Sequence, residues 1–157
     1  MTALIQIFLA GGYGMLSALV PVLNAEAYAV LAAHAATPVG ALVIAAALAV
    51  GQTAGKLTIV EAARRGSNAL SRRRGAQSAG RDAPRPWAAR ITRALRSRRS
   101  GVLLVLGSAL VGLPPLAAVS VAAGLAGQRR WEFALACLAG RFVRFAALAT
   151  PTSWWLT

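Results

Sequence analysis

Two arginines, Arg141 and Arg144, stand inside the apolar stretch 131–150, WEFALACLAGRFVRFAALAT. Three residues apart, they share one face of a helix. Counted from Trp131 at about 1.5 Å per residue, Arg141 lies roughly 15 Å along that helix. This is close to the centre of a hydrocarbon layer about 30 Å thick, where an arginine costs about 2.5–3.5 kcal/mol at the least. Snorkelling relieves part of the cost, but not easily for two arginines at mid-depth. The pair therefore asks for an anion. A lipid phosphate suits the planar guanidinium donors, and a fixed carboxylate is the plainer partner. Glu26 is the candidate carboxylate, with two further roles open to it: proton carrier, or charge at a helix start beside Asn24.

Other groups that bear chemistry are few. Gln52 and Lys56 stand near the end of an apolar run, where an interfacial glutamine and a snorkelling lysine are expected, although Gln52 is also placed to line a path. Asn24 suits a helix cap or a headgroup hydrogen bond. With one histidine, His34, and one cysteine, Cys137, there is neither an intramolecular disulfide nor a ligand set for zinc. Cys137 is expected to pack as a small apolar residue, and His34 to lie at an interface. No Ser/His/Asp cluster suggests an enzyme, and no cofactor is implied. Gly51-Gln-Thr-Ala-Gly55-Lys56 is not a phosphate loop, because three residues rather than four separate the glycines and Leu57 follows the lysine.

The elements that must hold these residues are apolar helices. Of 157 residues 57% are hydrophobic and 13% charged, against about 45–50% apolar residues in ordinary soluble domains. The mean hydropathy is +0.60. The net charge of +13 is concentrated, since twelve of the 17 Lys/Arg residues fall within 64–99. Such a cationic connection places itself on the cytoplasmic side and against anionic lipid. Nucleic acid is not the expected partner, because Trp87 alone offers a base a ring to stack on there.

The chain divides into 1–60, 61–100 and 101–157. Residues 3–36 are apolar but broken at Pro21, and proline in a helix interior loses a hydrogen bond and clashes with the preceding turn. Stretch 38–59 is a full span, and Gly51 and Gly55 within it form a GxxxG that lets another helix approach closely. Within 61–100 lie an Asp82-Ala-Pro-Arg-Pro86 breaker and a basic amphipathic helix over 87–99 with Trp87, Ile91 and Leu95 on one side. Stretch 101–127 is apolar and broken at Gly112, Pro114 and Pro115, and 131–150 is the second span. Ser17-Ala18-Leu19-Val20 recurs as Ser108-Ala109-Leu110-Val111, and Trp154-Trp155 suits an aromatic belt. The expected architecture is all-α: a multi-pass protein of the cell membrane, with two re-entrant helical hairpins and two long spans in an inverted repeat. Broken segments at matching places in two halves point to a transporter with a midplane site. Four continuous spans result instead if the breaks are only kinks. Assembly of several copies is compatible with either.

Four short pieces, in this order and spacing, resemble the DedA (VTT, or SNARE-associated) family of membrane proteins. They are Pro21-Val-Leu-Asn-Ala-Glu26, Gly51-Gln-Thr-Ala-Gly55-Lys56, Gly112-Leu-Pro-Pro115 and Gly140-Arg141-Phe-Val-Arg144-Phe. The likeness covers roughly 8–66 and 102–148. It implies facing re-entrant hairpins and translocation of a phosphorylated lipid, a polyprenyl phosphate or a phospholipid, with proton coupling proposed. It also implies that Glu26 is the family's acidic residue after the hairpin proline, and that Arg141 and Arg144 match its arginines of the later span. Gln52 stands where many members carry Asp, a departure that bears on proton coupling, and the chain is shorter than typical members. The competing expectation is a scaffold that recruits partners through the arginine-rich connection without transport.

Overall fold

The computed structural model describes residues 2–20, 24–34, 36–74 and 86–154. Among them are seven helices and no strand: α1 (Thr2–Leu19), α2 (Ala25–His34), α3 (Pro38–Arg74), α4 (Pro86–Arg96), α5 (Arg98–Val111), α6 (Leu116–Ala126) and α7 (Arg130–Trp154). The all-α expectation holds. Pro21 and the rest of the first break, together with 82–85 of the second breaker and Trp155, lie outside the described residues.

Local chemistry sets the helix ends. The Asn24 side chain accepts hydrogen bonds from the backbone N–H groups of Glu26 (2.9 Å) and Ala27 (3.3 Å), so it caps α2 in the usual manner of an asparagine. Thr37 does the same for α3 through the Gly40 N–H, with Pro38 in the first turn, where its missing N–H costs nothing. α5 ends on Gly112 at φ 87°, a left-handed cap that spares the chain a Cβ clash. A cis Leu113–Pro114 bond and Pro115 follow before α6 starts. The Ser108 hydroxyl donates to the Pro114 carbonyl at 2.6 Å across that bend.

α3 is the one described helix long and apolar enough, by length and composition, to cross a membrane. It does not stop at Ile59, where its apolar stretch stops. It runs on to Arg74, supported by alanines, arginines and the i, i+4 pair Glu61–Arg65 (3.0 Å). α7, the other expected span, has 25 residues, and its apolar run is interrupted by Arg141 and Arg144.

α3 and α7 run antiparallel: Ala41 packs with Ala149 at one end and Glu61 pairs with Arg130 at the other. α1 lies along α3 and α5 along α7, while α2 crosses to α7 and α6 crosses to α3. Each half thus lends its second short helix to the long helix of the other. The α1–α3 contact depends on Gly51, whose Cβ would overlap the Gly11 carbonyl, and on Gly55, whose Cβ would meet that of Ala18 at 2.6 Å. The expected GxxxG approach is therefore made, within one chain. α4 places Ile91 and Leu95 in the same core cluster as Val105, Val119 and Phe133. The basic connection therefore ends in a docked helix.

Candidate functional site

Arg144 projects from α7 towards two acceptors. Its Nε and Nη2 donate to one carboxylate oxygen of Glu26 at 2.8 and 2.6 Å, and its Nη1 donates to the Leu110 carbonyl at 2.6 Å. That carbonyl belongs to the last turn of α5, where intrahelical donors have run out and the helix dipole presents its negative end. Glu26 sits in the first turn of α2. The expected counter-charge and the expected helix-start carboxylate are thus one arrangement, with the Arg144 side chain 24% and the Glu26 side chain 38% exposed.

Arg141 is placed differently, and this corrects the expectation of a pair sharing one partner. Its guanidinium lies over the Phe145 ring, 6.0 Å from the centroid, and its Nε is buried with no hydrogen-bond partner. Lys56, Cys137, Arg144 and Glu26 are all within electrostatic range of Arg141. The packing brings Arg144, and not Arg141, within hydrogen-bond reach of Glu26 and of the carbonyl at the α5 end.

Two further expectations are corrected. Lys56 is no snorkelling anchor: it is 7% exposed and its Nζ donates to the Ala18 carbonyl at 2.7 Å, at the end of α1. Gln52, expected near an interface, is 5% exposed and donates through Nε2 to the Ser17 hydroxyl at 2.9 Å, its Oε1 unpartnered. Both follow from the close α1–α3 approach, which covers the face they share. Sequence spacing held the signal, since residues four apart share a face and Gln52 to Lys56 is such a step. Cys137 packs in the core as expected, against Thr53. His34 is exposed at the end of α2. Gly112, Pro114 and Pro115 stand at the second break as expected.

The opposite end of the α3–α7 pair carries ion pairs that the pattern of charges alone does not disclose. Glu61 meets Arg65 and Arg130, each at 3.0 Å, and Glu132, 5% exposed, meets Arg98 at 2.6 Å. Arg98 also stacks on Trp131. Beyond the apolar stretch, the Glu61 carboxyl is held below the usual carboxylate range, first by the hydrogen bond from Arg65. Desolvation opposes that, and the charges of Arg130, Arg65 and Arg64 reinforce it. A groove of about 650 Å3 opens beside it between α3 and Arg130. Among the described residues no group of three His, Cys, Asp or Glu side chains is placed to hold a metal ion.

The interior arrangement can bind an anion by charge and hydrogen bonding, and its carboxylate can exchange partners. Compared with protein-family models, curated proteins and solved structures, the chain matches none.

Proposed function

We propose that this chain is a multi-pass membrane protein of DedA/VTT type that moves a phosphorylated lipid, a polyprenyl phosphate or a phospholipid, between leaflets. Each helix–break–helix unit, α1–α2 and α5–α6, is a re-entrant hairpin, and α3 and α7 are the spans of an inverted repeat. The 61–100 connection faces the cytoplasm. The exchange of second arms between the halves supports the repeat. Exposed apolar side chains are in keeping with the lipid setting: Phe8 is 79% and Leu31 and Val39 are each 73% exposed. The cations of Arg64, Arg65, Arg129 and Arg130 gather at one end of the α3–α7 pair, in keeping with a cytoplasmic end.

The observation that carries the proposal is the buried, unpartnered Nε of Arg141 beside an Arg144 already neutralised by Glu26. A headgroup phosphate arriving there supplies the missing acceptor and displaces Glu26 from Arg144, and protonation of Glu26 eases the exchange. Leaflet exchange of a fluorescent polyprenyl phosphate in proteoliposomes, with phosphatidylethanolamine compared, tests it. The Arg141→Ala, Arg144→Ala double variant inserts but loses exchange; undiminished exchange in that variant ends the proposal.

One observation favours a scaffold as the second reading. Arg90, Arg93 and Arg96 are exposed on α4 while Ile91 and Leu95 hold it to the core, a fixed cationic face suited to anionic lipid or an acidic partner. Because α4 is docked, reversing those three charges is a cleaner test than deleting it. A scaffold loses its function and a translocator keeps most of its exchange.

A further inference from the structure

Glu26 spends its charge on Arg144, so two other interior cations have no carboxylate of their own. Lys56 on α3 follows Thr53 by three residues, and Arg141 on α7 follows Cys137 by four. Thr53 and Cys137 lie against each other where the two antiparallel helices touch. Long side chains on a helix lean towards its N-terminus. On antiparallel helices Lys56 and Arg141 therefore lean towards the Thr53–Cys137 level from opposite sides, and Lys56 lies within range of the Arg141 charge. Of the three donors on the Lys56 ammonium one is given to the Ala18 carbonyl, and the Arg141 Nε is given to nothing. Like charges brought together in a medium of low dielectric repel. An anion between them removes that repulsion and takes the idle donors.

We infer that Lys56 and Arg141 form an anion site at the level of Thr53 and Cys137, and that it receives a phosphate before Arg144 releases Glu26. That the phosphate arrives on a lipid rests on the translocation proposed above; that the site takes a phosphate does not. Lys56 then has two tasks at once: one donor closes the end of α1, and the others face the ligand. This sets an order for the exchange. The phosphate binds first where no carboxylate competes, then draws Arg144 from Glu26, three residues further along α7.

The test is isothermal titration of the full chain in detergent with dodecyl phosphate, inorganic phosphate and dodecanol. Wild type, Lys56→Gln, Lys56→Arg and Arg141→Gln are compared. The glutamine at position 56 keeps a donor for the Ala18 carbonyl and loses the charge. Wild type binds dodecyl phosphate and not dodecanol. Lys56→Gln and Arg141→Gln each weaken that binding roughly ten- to hundredfold, the worth of one hydrogen bond to a charged group, and Lys56→Arg restores most of it. Binding of inorganic phosphate with the same dependence on Lys56 assigns the site to the phosphate group alone; its failure to bind assigns the site to the lipid headgroup. Both results support the site.

Wild-type affinity in Lys56→Gln together with a loss in Arg141→Gln overturns the inference and leaves translocation through Arg141 and Arg144 standing. Lys56-dependent binding in a chain whose vesicles show no leaflet exchange overturns translocation and leaves the site. Should Lys56→Gln fail to fold, the unaltered protein supplies the answer. Its unfolding midpoint in detergent rises with dodecyl phosphate and not with dodecanol, and equal midpoints overturn the inference.

Discussion

The two broken arms of this protein are closed by the same device with different reach. At the end of α1 the Lys56 ammonium of α3 takes the Ala18 carbonyl; at the end of α5 the Arg144 guanidinium of α7 takes the Leu110 carbonyl. In each half the long helix sends a cation to the negative end of its own first short helix, where free carbonyls accumulate. The lysine is a point charge and its recorded hydrogen bond stays inside its half. The arginine has a planar fork with donors on two sides, and it uses the second side to hold Glu26 from the other half. The shape of the cationic group thus separates a local cap from a clamp between halves. The Lys56 ammonium has one donor engaged, whereas all three nitrogens of the Arg144 guanidinium are engaged.

The largest expected effect separates these two devices. Arg144→Leu strands the Glu26 carboxylate and the Leu110 carbonyl together, and lowers stability by about 3 kcal/mol, the low end for breaking a buried pair because Glu26 is half-exposed. Lys56→Met strands one carbonyl, for about 1–2 kcal/mol. Thermal unfolding in detergent ranks them, and equal losses would break the distinction between cap and clamp.

The helix contacts beneath the two breaks give the next contrast. Gly51→Ala drives a methyl into the Gly11 backbone, and Gly140→Ala drives one against the Ala109 Cβ at 2.6 Å. Overpacking of this kind costs about 1–3 kcal/mol, with Gly51 the worse because its clash is the deeper. Unfolding midpoints of the two variants check the order.

The second arms also differ at their starts. α2 has the Asn24 cap and α6 begins at Pro115 with no side-chain cap. Asn24→Ala should cost about 1 kcal/mol, read as earlier loss of helical signal on heating, while Pro115→Ala removes no cap hydrogen bond.

The smallest effect belongs to the pair at the far end. Because Arg65 and Arg130 hold the Glu61 carboxyl below its unfolded value, its contribution is present above the ordinary carboxylate pKa. It is lost as pH falls through the lower folded value. The stability gap between wild type and Glu61→Gln is therefore small at neutral pH and closes in acid. A gap that widens in acid would contradict the direction.

Much of this was legible without coordinates, and the residues show why. Gly112, Pro114 and Pro115 stop a helix by sterics that act within one turn. Asn24 caps α2 and Pro38 opens α3 through groups two or three residues away. The apolar run 38–59 declares a long buried or lipid-facing helix by its length. Glu26 and Arg144 were both legible as candidates, because each is a charge out of place in apolar sequence. What each of them touches was a different matter. Lys56 and Gln52 read as residues of an interface until α1 covers them, and Arg141 reads as the twin of Arg144 until the packing brings only Arg144 to Glu26.

The sequence by itself determined where helices start, stop and break, and which charges must seek a partner, because those outcomes depend on atoms within a turn or two of one another. Only the tertiary structure decided that Arg144 takes a carboxylate 118 positions away while Arg141 goes without. It likewise turned Gly51 towards Gly11 and set Lys56 at the end of α1. Those choices belong to packing between distant segments. Which distant cation reaches a given acceptor is set by that packing, and no local pattern records it.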